Sequence, residues 1–149
     1  MVIYFEFLLG LNFKIVVASL VDTDILSFYF RQDPQIIRAV AKYLSRFDQL
    51  NISLVTYYEV IAGLKFKGAQ QQLRLFEDFV RDHRVIGITR RSAVISGEIY
   101  ASLRRKGIII GASDTLIAGT AIENNLSLVT NNCRHFELVD GLRIDNWKQ

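Results

Sequence analysis

Short apolar runs alternate with helix-patterned segments along nearly the whole chain, and this alternation limits the fold more than any other feature. Residues 15–21 form a continuous apolar run, as a strand covered on both faces requires. Asp33-Pro34 marks a helix start, with Asp as the cap and Pro in the first turn. Ile36, Ile37, Val40, Ala41, Leu44 and Phe47 then follow at helical spacing. Residues 51–55 read as a second strand, and Thr56 opens a helix that runs to about Lys65. Residues 70–83 are amphipathic, with Leu73, Phe76, Phe79 and Val80 on one side. A third strand is expected over 85–89, a helix over 91–106 closed by Gly107, and another helix over 113–125. A fourth strand follows over 126–130, and a last short one includes 142–144. Such βα alternation implies an α/β fold, with a mostly parallel central sheet between two helical layers.

No linker, repeat or low-complexity stretch divides the chain, so its 149 residues are expected to build one domain over 15–149. Residues 1–21 are very apolar, but Glu6, Asn12 and Lys14 interrupt the run. Glu6 would lie in hydrocarbon at a cost of several kcal/mol. No positive charge precedes the apolar stretch, as a signal peptide would want. Residues 1–14 therefore read as an extra N-terminal arm, or as translation from a start upstream of the natural one, and no membrane partner is expected. The lone Cys133 excludes an internal disulfide framework and fits a reducing, cytoplasmic setting. The net charge of +3 weakly favours an anionic partner without being a DNA-binding signature.

Open parallel sheets place their sites at the carboxyl ends of the strands, and the acids of this chain fall there. Asp22 ends the first apolar run, Glu59 lies just past the second, and Asp114 opens the helix before the fourth. Thr130, Asn131 and Asn132 close the fourth. Three carboxylates at one rim repel, so protons or a cation must compensate. Mg²⁺ or Mn²⁺, hard ions with a preference for oxygen, suit the task and would acidify water against a phosphodiester. With only His83 and His135 available, a histidine-based zinc site is disfavoured.

Each acid also has a plainer reading. Thr56-x-x-Glu59 fits a capping box. Asp114, beside Ser113, fits a helix cap or first-turn acid, and Asp22 or Asp24 fits a cap for the helix that follows. Convergence at one rim is what favours the functional reading. Arg90, Arg91, Arg104, Arg105 and Lys106 share one helical segment with a single opposing acid, Glu98. They suit an RNA backbone, or a solvated helix with a cationic C-terminus. Arg31, Lys65 and Lys67 are weaker candidates of the same kind, and the Tyr57-Tyr58 pair suits packing better than base stacking. Two rival functions remain open at this level. Asp22-Thr23-Asp24 after an apolar strand would suit a HAD-like phosphotransferase with Asp22 as nucleophile, although no second acid pair or well-placed lysine accompanies it. The acids equally fit a non-catalytic interaction module in which they serve only as caps.

Five blocks, in order, resemble the PIN-domain VapC toxins of toxin–antitoxin systems: SLVDTDILS (19–27), SLVTYYEVIAGL (53–64), IYASLRRKG (99–107), GASDTLIAGTAIENNLSLVTNN (111–132) and HFELVDGLRIDNW (135–147). The resemblance spans about residues 17–147, and residues 1–14 have no counterpart in it. It implies a PIN-like three-layer αβα sandwich and an endoribonuclease dependent on Mg²⁺ or Mn²⁺. It also implies tRNA or rRNA loops as substrate, a cognate antitoxin and a homodimer. By the same resemblance Asp22, Glu59 and Asp114 are the family acids and metal ligands; Arg104, Arg105 and Lys106 are expected, from their charge, to position the RNA backbone. At the fourth acidic position the chain departs from the pattern, because Asn132 or His135 stands where an acid is usual. Asn132 is expected to orient water by hydrogen bonding, and Glu98 is a further acid within range of the rim.

Overall fold

The computed structural model describes residues 2–6 and 12–149. In chain order the strands are β1 (Val2–Glu6), β2 (Asn12–Val16), β3 (Ser19–Val21), β4 (Asn51–Ser53), β5 (Arg84–Ile86), β6 (Ser127–Val129) and β7 (Ile144–Asp145). The helices are α1 (Thr23–Phe30), α2 (Pro34–Leu44), α3 (Leu54–Phe66), α4 (Gln70–Arg81), α5 (Arg90–Arg105), α6 (Ala112–Glu123) and α7 (Cys133–Phe136). Five strands form the central sheet in the order β5-β4-β3-β6-β7, and every pairing is parallel.

Side-chain alternation along these strands explains the three layers. Leu20 and Leu128 point into one core with Ile99, Leu103, Ile117 and Phe136. Their neighbours Val21 and Val129 point into the other, with Ile25, Ile36, Leu50, Ile52 and Phe76. Each central strand is thus apolar on both faces, as the continuous runs in the sequence demand. α5, α6 and α7 cover the first face, and α1, α2 and α4 the second. Gly119 lets α5 and α6 approach closely: a Cβ there would overlap Ser96 Oγ and stand 2.7 Å from the Ser92 carbonyl oxygen.

Several boundaries differ from the sequence reading, each for a local reason. The apolar run over 15–21 is not one strand, because β2 ends at Val16 and β3 begins at Ser19. β2 pairs antiparallel with β1, in register Val2 with Val16, and this pair is separate from the central sheet. The expected arm over 1–14 lies partly outside the described residues. β4 stops at Ser53, because that side chain caps α3 by accepting from the Thr56 amide at 2.9 Å. The capping box expected between Thr56 and Glu59 is therefore absent, and Glu59 is left free for another partner. The third strand is the earlier and shorter β5, while Gly107 does take the left-handed conformation of a helix end, φ +75°. α7 was not anticipated, since four residues are too few to display a period. No helix among the described residues is long and apolar enough to cross a membrane.

Candidate metal centre and nucleic-acid interface

Asp22 leaves the carboxyl end of β3, and its amide donates to Val129 O at 2.9 Å, carrying the ladder one residue past the strand. It is the N-cap of α1, so its plain and functional readings coincide: Oδ1 accepts from the Thr23 amide at 2.8 Å. Oδ2 accepts from the Thr130 hydroxyl at 2.8 Å. The side chain is buried, and burial pushes its pKa from 3.8 up to about 6. The charge on Asp24 adds to this rise and Asp114 contributes further, against the two hydrogen bonds.

Asp24 sits in the first turn of α1 and accepts from the Ile25 amide at 2.7 Å and the Asn131 amide at 2.9 Å. Burial raises its pKa as well. Glu59, freed from capping, accepts from the Thr23 hydroxyl at 3.2 Å through Oε2. Burial is the main cause of its raised pKa, and Asp114 adds to it. Asp114 lies in the first turn of α6, whose N-cap Gly111 offers no side chain. Its Oδ2 stands 3.1 Å from His135 Nδ1 on α7. The Thr23 amide and hydroxyl thus bring Asp22 and Glu59 together, and the charge of Asp114 adds to the raised pKa of each.

Among the described residues the ion pairs are Arg81–Asp78 and Lys148–Asp33, and the His135 ring stands at hydrogen-bond distance from Asp114. No lysine or arginine thus offsets Asp22, Asp24, Glu59 or Asp114. The same residues contain no group of three His, Cys, Asp or Glu side chains already at metal-ligand spacing. The donors are nonetheless carboxylate oxygens in a partly buried setting, a donor type that a hard divalent cation prefers.

Asn132 presents its backbone rather than its side chain: the amide donates to Thr130 Oγ1 at 3.0 Å and helps hold down the Asp24 pKa. Its side chain is exposed and makes no hydrogen bond among the described residues. Glu98 lies exposed within α5, with no hydrogen bond or ion pair tying it to the rim. Arg104, Arg105 and Lys106 are exposed at the C-terminal end of α5. Thr89 bonds Glu123, and Ser92 and Ser96 meet Gly119, so α5 runs antiparallel to α6 and ends beside the α6 N-terminus that carries Asp114. A cleft of about 470 Å³ also opens at Thr23 and Glu59, between α1, α3 and α4, with Arg31 and Lys67 on its wall.

Sequence reasoning put Thr130 at the rim but missed Thr23, and it gave neither partner: the Thr23 and Thr130 hydroxyls bond Glu59 and Asp22 across 36 and 108 residues. Their placement beside Asp22 and at the end of the fourth run was visible, but their partners were not. Thr56 and Ser53 extend the same network, with the Thr23 hydroxyl 3.3 Å from that of Thr56.

The PIN domain family model matches residues 19–142. A tRNA(fMet)-specific endonuclease VapC from Salmonella typhimurium is 33% identical over 129 residues, covering 86% of this chain and 96% of that protein. A tRNA(fMet)-specific endonuclease VapC from Shigella flexneri is 35% identical with the same coverage. Among solved structures, VapBC2 from Rickettsia felis bound to a DNA fragment from its promoter superposes with a TM-score of 0.79 at 26% identity. It covers 88% of this chain and 99% of that one.

Proposed function

This chain belongs to the PIN-domain family and is a ribonuclease of the VapC kind, and we propose that it cuts RNA at a divalent-metal centre held by Asp22 and Asp114, with Glu59 completing it. The observation that supports this reading is that Thr23 bonds both Asp22 and Glu59 while the charge of Asp114 acts on both, with no lysine or arginine ion pair at any of the three among the described residues. Such an arrangement is electrostatically unfavourable until a cation enters. Mg²⁺ or Mn²⁺, when bound, supplies Lewis acidity that makes water a better nucleophile and offsets charge on the phosphodiester.

The protein's own groups have separate tasks. The Thr130 hydroxyl and the Thr23 amide hold the Asp22 carboxylate in one orientation. The Thr23 hydroxyl does the same for Glu59. Asn132 is positioned beside Thr130, where its exposed amide side chain can hydrogen-bond water or a phosphate oxygen. Arg104, Arg105 and Lys106 hold the RNA backbone, and Arg31 and Lys67 line the cleft that opens at Glu59. In-line attack needs a backbone that can splay, so the substrate is single-stranded or loop RNA of the tRNA or rRNA class.

The family match displaces the phosphotransferase reading and the non-catalytic interaction module. The solved relative is a VapBC complex, and by that likeness this chain acts as the toxin of a cytoplasmic toxin–antitoxin pair, inhibited by a cognate antitoxin and working as a homodimer. Phe66, 90% exposed, and Ile109, 83% exposed, offer apolar surface to such partners. Residues 1–14 lie outside the matched residues.

The test is cleavage of a tRNA pool by purified Asp114→Asn protein. A fall of at least a hundredfold with an unchanged circular dichroism spectrum is expected, because a metal ligand is lost while the fold is kept. Cleavage at the wild-type rate would refute the assignment.

A further inference from the structure

A cavity of about 310 Å³ lies between α2 and the chain that follows β7, and none of the four acids described above lines it. Its volume is at the small end of ligand sites and suits one nucleotide-sized guest. The wall combines three chemistries. Lys42 and Arg46, one helical turn apart at the end of α2, are exposed, and neither forms an ion pair among the described residues. Phe47 and Trp147 are half-buried and supply ring surface. Tyr43 backs both, with its ring centroid 4.5 Å from that of Phe47 and 5.4 Å from that of Trp147, and its hydroxyl is occupied by the Ser19 amide. Asp145 supplies a carboxylate. Its Oδ1 accepts from the Asn146 amide at 2.8 Å, and its Oδ2 takes no hydrogen bond among the described residues.

The cavity therefore holds both signs of charge without letting them pair. A guest that satisfies both must carry an anion and a donor edge on one flat body. A nucleotide does so, with a phosphate for Lys42 and Arg46, a π-face for the rings and a base edge for Asp145. Among the four RNA bases only guanine presents two adjacent N–H donors on its pairing edge, which match the acceptor-only carboxylate. Adenine, cytosine and uracil each set an acceptor beside the donor there.

Strand register puts this cavity near the metal centre. Val21 pairs with Val129 and Val129 with Asp145, so Asp145 stands two strand spacings, about 10 Å, from the strand end that carries Asp22. Asn146 Nδ2 donates to Asn131 Oδ1 at 3.3 Å, and the Asn131 amide donates to Asp24. Resting on the ribonuclease reading, but not on a bound metal, we propose that the cavity between α2 and Trp147 is a subsite for one unpaired guanosine nucleotide of the RNA substrate. Asp145 takes the base edge, and Lys42 and Arg46 take the phosphate.

Trp147 is the only tryptophan of the chain, so its fluorescence reports on the cavity directly. The full chain, in EDTA, is titrated with the four nucleoside 5′-monophosphates and with short single-stranded RNAs that carry one guanine or none. Saturable quenching is expected, with GMP bound about tenfold more tightly than AMP, and the guanine-containing RNA more tightly than GMP. Lys42→Gln and Arg46→Gln, at exposed positions, should each weaken GMP binding about tenfold, and Asp145→Asn should erase the preference for GMP over AMP. A merely structural Asp145 would leave that preference intact. No saturable quenching in wild type, equal affinity for all four nucleotides, or a preference retained in Asp145→Asn overturns the proposal. GMP bound more tightly than the guanine-containing RNA overturns its assignment to the RNA substrate. The metal centre is judged apart from this, because EDTA removes divalent ions. Wild-type cleavage by Asp114→Asn would sink the metal centre and leave the subsite standing, whereas absent quenching in a metal-dependent wild type would sink the subsite alone.

Discussion

The two ends of the central sheet are built on opposite electrostatic terms. At the amino end, buried polar groups are paired and neutral: the Ser19 amide donates to Tyr43 Oη at 3.0 Å, Asn51 Nδ2 to Ser19 O at 2.9 Å, and the Leu50 amide to His83 Nδ1 at 3.2 Å. Tyr43 also stacks on Phe47 at 4.5 Å and leans against Trp147. At the carboxyl end, Asp22, Asp24, Glu59 and Asp114 gather without a lysine or arginine ion pair among the described residues. One end is arranged for stability, and the other holds buried or half-buried carboxyls whose charge a proton or a cation relieves. Strained electrostatics of this kind concentrate at functional sites.

Breaking the charged end should produce the largest effects, with opposite signs for activity and stability. Asp22→Asn is expected to reduce RNA cleavage at least a hundredfold while raising the melting temperature of the metal-free protein near neutral pH. Because burial holds the folded carboxyl at a pKa of about 6 rather than 3.8, the folded state binds the extra proton between those values. Stability of the metal-free protein therefore falls as pH rises from about 3.8 to 6, by an amount of order 3 kcal/mol. Denaturant titrations across that window should show the slope, Asp22→Asn should flatten it, and Mg²⁺ should offset it at neutral pH. An unchanged slope in the variant would place the strain elsewhere.

The satisfied end should behave in the contrary way. Tyr43→Phe leaves the Ser19 amide without its acceptor and is expected to cost about 1–3 kcal/mol in urea unfolding. Cleavage per folded molecule should stay at the wild-type rate. A smaller effect tests how firmly the acids are held. Thr130→Val removes the hydroxyl that supports ionised Asp22 and should weaken divalent-ion affinity by about tenfold in calorimetry. The smallest effect concerns His83, whose pKa burial depresses and whose ring accepts from Leu50. Unfolding releases it to take up a proton, so its contribution is present near neutral pH and is lost as pH falls below 6.5. His83→Asn should remove that acid-side slope without touching the one assigned to Asp22.

Much of the architecture was legible before any coordinates. Leu20-Val21 and Leu128-Val129 read as doubly buried strands because apolar side chains there follow one another without alternation, and each pair does divide between the two cores. Asp22 at the end of β3 and Asp114 in the first turn of α6 lie where the reading of strand ends and helix starts put them. The helix-start signal at Asp33-Pro34 was also sound, since Asp33 accepts from the Gln35 and Ile36 amides. Short-range competition was harder to read. Thr56-x-x-Glu59 satisfied a capping pattern, yet Ser53, three residues earlier, took the Thr56 amide instead. The break at residues 17–18 was hidden because apolar residues run across it.

The amino-acid order determined by itself which segments must be buried and which acids reach the sheet rim, because hydrophobic period and strand–helix alternation are local properties of the chain. Only the tertiary structure decided what surrounds those acids. Thr130 meets Asp22, His135 meets Asp114, and desolvation raises the Asp22 pKa, all through contacts between residues distant in sequence. Proton affinity and ligand spacing depend on distance and burial in space, and those quantities exist only once the layers have packed.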